Sequence, residues 1–115
     1  MDPQRARELL NRERERIGSE LRALRGDRGG DGELSGVDQH TADAGSELFE
    51  NERDQSMIDR LERELEAIAR AEQRIEEGTY GLSVESGEPI PDGRLEAIPW
   101  AERTAEEQGH YDARL

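Results

Sequence analysis

Cysteine is absent from this chain of 115 residues, and so is lysine. The first absence excludes disulfides, thiolate nucleophiles and thiolate metal ligands. The second leaves arginine as the source of all 16 basic side chains, a residue that forks onto carboxylates better than lysine does. Apolar residues are scarce, at 31% against 39% charged, and mean hydropathy is -1.06. A thick globular core is therefore out of reach, and by composition alone disorder competes with folding. No apolar run is long enough to span a bilayer, and no signal peptide or lipidation motif is visible. The expected location is cytoplasmic, with no membrane partner. Positive charge is also short: 29 acidic side chains leave a net charge of -13. Phosphates would be repelled, which excludes direct nucleic-acid binding and favours a partner with a basic surface or channel.

What the chain does have is helical periodicity. From Pro3 to about Arg25, Arg and Glu alternate around a thin apolar line of Leu10, Ile17 and Leu24, with Leu21 between. Proline suits the first turn of a helix and Gly26 suits its end. Arg14 and Glu20 are poor occupants of a seam, so this helix needs a partner. A flexible tip loop is expected over 26–41, glycine-rich in its first part. A second helix is expected from about Ala42 to Glu77, with Thr41 as N-cap, Asp43 in the first turn and Gly78 as the stop. Its seam is Ile58, Leu61, Leu65, Ile68 and Ile75, interrupted by Glu72. At 1.5 Å per residue such a helix is roughly 50 Å long. The two helices pair as a long antiparallel coiled-coil hairpin, residues 1–78, burying a narrow seam with few apolar residues.

After Gly78 the pattern changes. Gly87, Pro89, Pro91 and Gly93 break helix, while Leu82, Val84, Ile90, Leu95, Ile98 and Trp100 supply a small apolar set. The expectation for 79–115 is a short hairpin, a turn at Pro91-Asp92-Gly93, a connection through Pro99, and an acidic helix over about 101–108. Trp100 is the one large anchor there, with Tyr80, Ile90 and Leu95 as the rest of the module core.

Catalysis finds no equipment in the sequence. There is no convincing Ser-His-acid set, no phosphate-cradling glycine motif and no metal site, so the chain is read as non-enzymatic and free of cofactors.

The module carries a resemblance. Its frame reads Tyr80-Gly81-Leu82-Ser83-Val84-Glu85-Ser86-Gly87, Pro89-Ile90, Arg94-Leu95-Glu96-Ala97-Ile98-Pro99 and Thr104-Ala105-Glu106-Glu107-Gln108. This is similar to the C-terminal zinc finger of the DksA/TraR family of bacterial RNA-polymerase-binding regulators: Y-G-x-C-x-x-C-G-x-x-I, R-L-x-A-x-P, then C-x-x-C-Q. Ser83, Ser86, Thr104 and Glu107 stand at the four cysteine positions, so the zinc finger is degenerate. Structural zinc needs four soft or borderline ligands, and neutral hydroxyls do not replace thiolates. His40 and His110 have no partners at ligand spacing. The module is expected to be metal-free, resting on its apolar set and on hydrogen bonds from Ser83, Ser86 and Thr104.

A second match lies at the tip, where His40-Thr41-Ala42-Asp43-Ala44-Gly45 leads into Glu47-Leu48-Phe49-Glu50-Asn51-Glu52-Arg53-Asp54. It is similar to an H-P-A-D-x-x-x-E-x-F-E-x-E-x-D run in longer family members. Other members carry D-x-x-D-x-A at the tip, and their aspartates enter the polymerase secondary channel. On that register His40 takes the first aspartate position, Asp43 the second and Gly45 the alanine, with Asp38 nearby. The resemblance implies a regulator of transcription whose partner is RNA polymerase, reached through Asp38, His40, Asp43 and Gly45 without contact to DNA. A plainer role for Asp43 is to stabilise the helix N-terminus. The alternative function is an acidic helical hairpin that dimerises or docks on another partner; the first reading expects a monomer.

Overall fold

The computed structural model describes residues 1–26 and 44–115, with side chains from 52 onward in the second stretch. Four helices stand in the described residues: α1 (Pro3–Arg25), α2 (Ala44–Glu77), α3 (Asp92–Ala97) and α4 (Ala105–Arg114). They contain no named strand; a single antiparallel bridge joins Leu82 and Pro89. The fold is mainly α, as the periodicity requires. Two compact units divide it, one of residues 1–14 with 64–115, the other of residues 15–63.

In the first unit, the start of α1 and the end of α2 run antiparallel. Arg7 Nη2 reaches Glu76 Oε2 at 3.3 Å, and two turns further along α1 Arg14 meets Glu72. The buried positions are few and half of them are alanine: Ala6, Leu9 and Leu10 on α1, and Ala67, Ile68 and Ala71 on α2. Alanines let two helices approach closely, so Leu9, Leu10 and Ile68 can close the seam with few bulky side chains. Arg14 and Glu72, each awkward in an apolar seam, solve the problem by pairing with each other. Ala6 and Ala71, which belong to the buried line, lie outside the Leu/Ile spacing visible in sequence.

In the second unit Ile17 and Leu21 are buried on α1 and Leu61 on α2, while Leu24 and Ile58 are half-buried. Arg25 pairs with Glu62. The tip residues Asp38, His40, Thr41 and Asp43 lie outside the described residues; α2 begins at Ala44, so Gly45 falls in its first turn.

Helix α2 stops where glycine permits it. Gly78 has φ +79°, Thr79 N donates to Arg74 O at 2.9 Å and Gly78 N to Ile75 O at 3.2 Å. This six-to-one bond over a left-handed residue satisfies carbonyls that the helix end would leave open.

Three expectations in the module need correction. The turn at Pro91-Asp92-Gly93 continues into α3, because Pro91 (φ -58°, ψ 144°) is fixed just ahead of the first turn, Asp92 carries charge there, and Leu95 is buried. It ends at Ala97, with Ile98 (φ -133°, ψ 83°) outside the helical region just before Pro99, where a following proline disfavours helix. The last helix starts at Ala105 rather than near residue 101 and runs to Arg114, because Thr104 caps it. The expected hairpin is pared down to the Leu82–Pro89 bridge. Ser83 N donates to Glu88 O at 2.8 Å, Gly87 N to Ser83 O at 3.0 Å, and Ile90 N to Gly81 O at 2.7 Å.

Candidate functional site

Ile90, Leu95 and Ala101 form the buried centre of the C-terminal segment, with Met1, Tyr80 and Ile98 packed against it. Tyr80 donates its hydroxyl to Pro99 O at 2.8 Å, and burial pushes its phenol up to about 12. Trp100 is half-buried and stands outside this cluster. It lines an open cleft of about 440 Å³ together with Ile98, Glu102, Arg103 and Tyr111. The small core therefore rests on Leu95 and Ile90 rather than on the indole. Leu82 and Val84 are exposed, so the apolar set read from sequence only partly turns inward.

Around this core the charged side chains are organised by Glu102. Arg70 Nε lies 2.8 Å and Arg74 Nη1 3.1 Å from Glu102 Oε2. Burial pushes the Glu102 carboxyl up, but the Arg70 and Arg74 guanidiniums outweigh it and hold it below the usual carboxylate range. Arg103 stacks over the Tyr111 ring at 3.8 Å and pairs with Glu85 at 2.6 Å. Nothing in the linear pattern marks Glu102 or the Arg103–Tyr111 stack, since each joins segments that only the fold brings together.

The four positions that resemble cysteine sites do come together. Ser83 Oγ donates to Glu107 Oε1 at 2.6 Å, and it accepts from Glu85 N at 3.0 Å and Ser86 N at 3.1 Å. Thr104 N donates to the same Glu107 Oε1 at 2.9 Å, and Glu107 N donates back to Thr104 Oγ1 at 3.2 Å. Thr104 and Glu107 thus form a reciprocal capping box on α4. The hydrogen bond from Ser83, followed by those from the Thr104 amide and Ser86, holds the Glu107 carboxyl down at about 2.

This donor set does not fit zinc. Tetrahedral structural sites want thiolate or imidazole ligands with free lone pairs. Here the Ser83 hydroxyl uses its proton and both lone pairs within the cluster, and only Glu107 carries charge. Among the described residues no three of His, Cys, Asp or Glu lie where they could share a metal ion. Glu107, read in sequence as a vacant ligand position, is the acceptor at the centre of the arrangement. The Thr-x-x-Glu spacing at Thr104 and Glu107 is a helix-start signature that could have revealed it.

No helix among the described residues is long and apolar enough to cross a membrane. No family model matches the chain. General stress protein 16O of Bacillus subtilis is 46% identical over 83 residues, 70% of this chain and 50% of that protein. The RNA polymerase-binding transcription factor DksA of Caulobacter vibrioides is 41% identical over 56 residues, 49% of this chain and 39% of that protein. The chain thus spans half or less of the length of these curated relatives. The solved structure of transcription factor DksA2 from Pseudomonas aeruginosa matches with a TM-score of 0.76. It covers 97% of this chain and 84% of that one at 26% identity. The fold thus matches that of a DksA-type transcription factor over nearly the whole chain, the sequence is similar to DksA over about half of it, and the chain itself carries no cysteine.

Proposed function

We propose that the chain is a transcription regulator that binds RNA polymerase, inserting the tip between its two long helices into the secondary channel without touching DNA. The observation that carries this reading is the fold match to transcription factor DksA2 over 97% of the chain. The similarity to an RNA polymerase-binding DksA supports it. The net charge of -13 suits a partner with a basic channel and disfavours phosphate contacts. Asp43 leads the insertion, with Asp38, His40 and Gly45 beside it, and residues 79–115 rest on the channel rim. Such a regulator works in the cytoplasm as a monomer.

A pull-down with core polymerase, followed by transcription in vitro, tests the proposal. Wild type is expected to be retained on the polymerase. Asp43→Ala keeps binding but loses its effect on transcription, and deletion of residues 27–38 weakens both. Failure of wild type to bind sinks the proposal. A stable dimer in sedimentation, closed through the helical seam, would favour the acidic interaction-protein alternative.

A further inference from the structure

We propose that Glu107 is itself the cross-link of the C-terminal module: one carboxylate, gripping the Ser83 hydroxyl and the Thr104 amide together, closes the loop at 83–86 onto α4 where a metal ion would otherwise do so. The inference concerns how this module is held and stands independently of the polymerase reading.

A bound metal in such a module joins two pairs of ligands from segments far apart in the chain, and that link supplies folding free energy. The same topology is met here with hydrogen bonds. Ser83 and Ser86 belong to the first segment, Thr104 and Glu107 to the second, and the Ser83–Glu107 bond of 2.6 Å spans the gap. Ser83 is the one buried polar side chain among the described residues, so a missing acceptor for its hydroxyl would be left without water to replace it. The first segment is gathered on the Ser83 oxygen through the amides of Glu85 and Ser86. The second is gathered on Glu107 through the amide of Thr104 and the capping box. Glu107 is therefore the one side chain that both starts α4 and holds the opposite loop. Hydrogen bonds to an ionised acceptor are the strong kind, which lets a single carboxylate serve.

Other ties between the segments exist and set the background. Val84 N donates to Glu102 O at 2.9 Å, and Arg103 pairs with Glu85. Neither of them uses the Ser83 hydroxyl, which donates to Glu107.

Amide hydrogen exchange of the full chain at fixed neutral pH, wild type against Glu107→Gln, reads the lock directly. Glutamine keeps the shape and removes the charge. The amides of Glu85, Ser86 and Thr104 are expected to exchange about tenfold faster or more, while those of Leu10 and Ile68 stay unchanged. Ser83→Ala removes the oxygen that accepts from the Glu85 and Ser86 amides as well as the donor to Glu107, so it speeds those two amides more than Glu107→Gln does, and adding Glu107→Gln to it speeds them little further. In wild type, a chelator leaves all these rates unchanged. Unchanged exchange in Glu107→Gln, additive effects of the two substitutions, or acceleration by chelator in wild type would each overturn the proposal. The chelator arm needs no variant and stands even where a substitution unfolds the chain.

Discussion

Ser83 Oγ and Glu107 Oε1 lie 2.6 Å apart, 24 residues distant in sequence, at two positions where the related zinc module has cysteine. The bond puts an ionised acceptor beside a buried hydroxyl. From that pair the acid sensitivity of the module follows.

Glu107 is held at about 2 in the folded chain against an ordinary 4.5. A depressed carboxyl contributes stability above its unfolded value and loses it as pH falls through the folded one. Melts followed by Trp100 fluorescence should therefore drop between about pH 4.5 and pH 2. Glu102, also held low, contributes in the same direction, so Glu107→Gln should flatten only part of the slope. An unaltered acid slope in that variant would remove Glu107 from the account.

Arg14 and Glu72 form a half-exposed pair in a seam that neither suits alone. Glu72→Arg is expected to destabilise by about 1 kcal/mol or less through like-charge contact, and Arg14→Glu combined with Glu72→Arg should restore most of it. Chemical denaturation of the four proteins of this cycle measures the coupling; strictly additive effects would mean the pair contributes nothing.

Leu95 is almost fully buried at the centre of the C-terminal cluster, whereas Trp100 is half-buried beside it. Leu95→Ala should cost about 2–5 kcal/mol, more than a conservative change at Trp100 such as Trp100→Phe. If the tryptophan variant is the more damaging in denaturant titrations, the core has been placed on the wrong side chain.

Tyr80 donates its hydroxyl to the Pro99 carbonyl. Tyr80→Phe keeps the ring and should cost about 1 kcal/mol. Because the buried phenol is raised to about 12, wild type should also lose stability as pH rises from its ordinary 10 through that value, and the phenylalanine variant should not. Alkaline melts of the two proteins make the comparison.

Capping gives a separate check on α4. Thr104→Ala removes the side-chain acceptor for Glu107 N and should cost about 1 kcal/mol while leaving the Ser83–Glu107 bond in place. Helix content by circular dichroism should fall slightly, without the faster exchange at Glu85 that breaking the Ser83 bond produces.

The sequence by itself determined the helical class, the span Pro3–Arg25 of the first helix, the stop at Gly78 and the exclusion of thiolate chemistry. Each depends on local backbone preference, on 3.6-residue periodicity or on the absence of a residue type, and these need no knowledge of partners. Only the tertiary structure decided that Arg14 answers Glu72, that Ala6 and Ala71 belong to the buried line, that Pro91–Gly93 continues into a helix around Leu95, and that Trp100 stays half-exposed. The role of Glu107 was half legible: its spacing from Thr104 announces a helix start. Its hold on Ser83 depends on two segments meeting, and no local pattern encodes the distance between them.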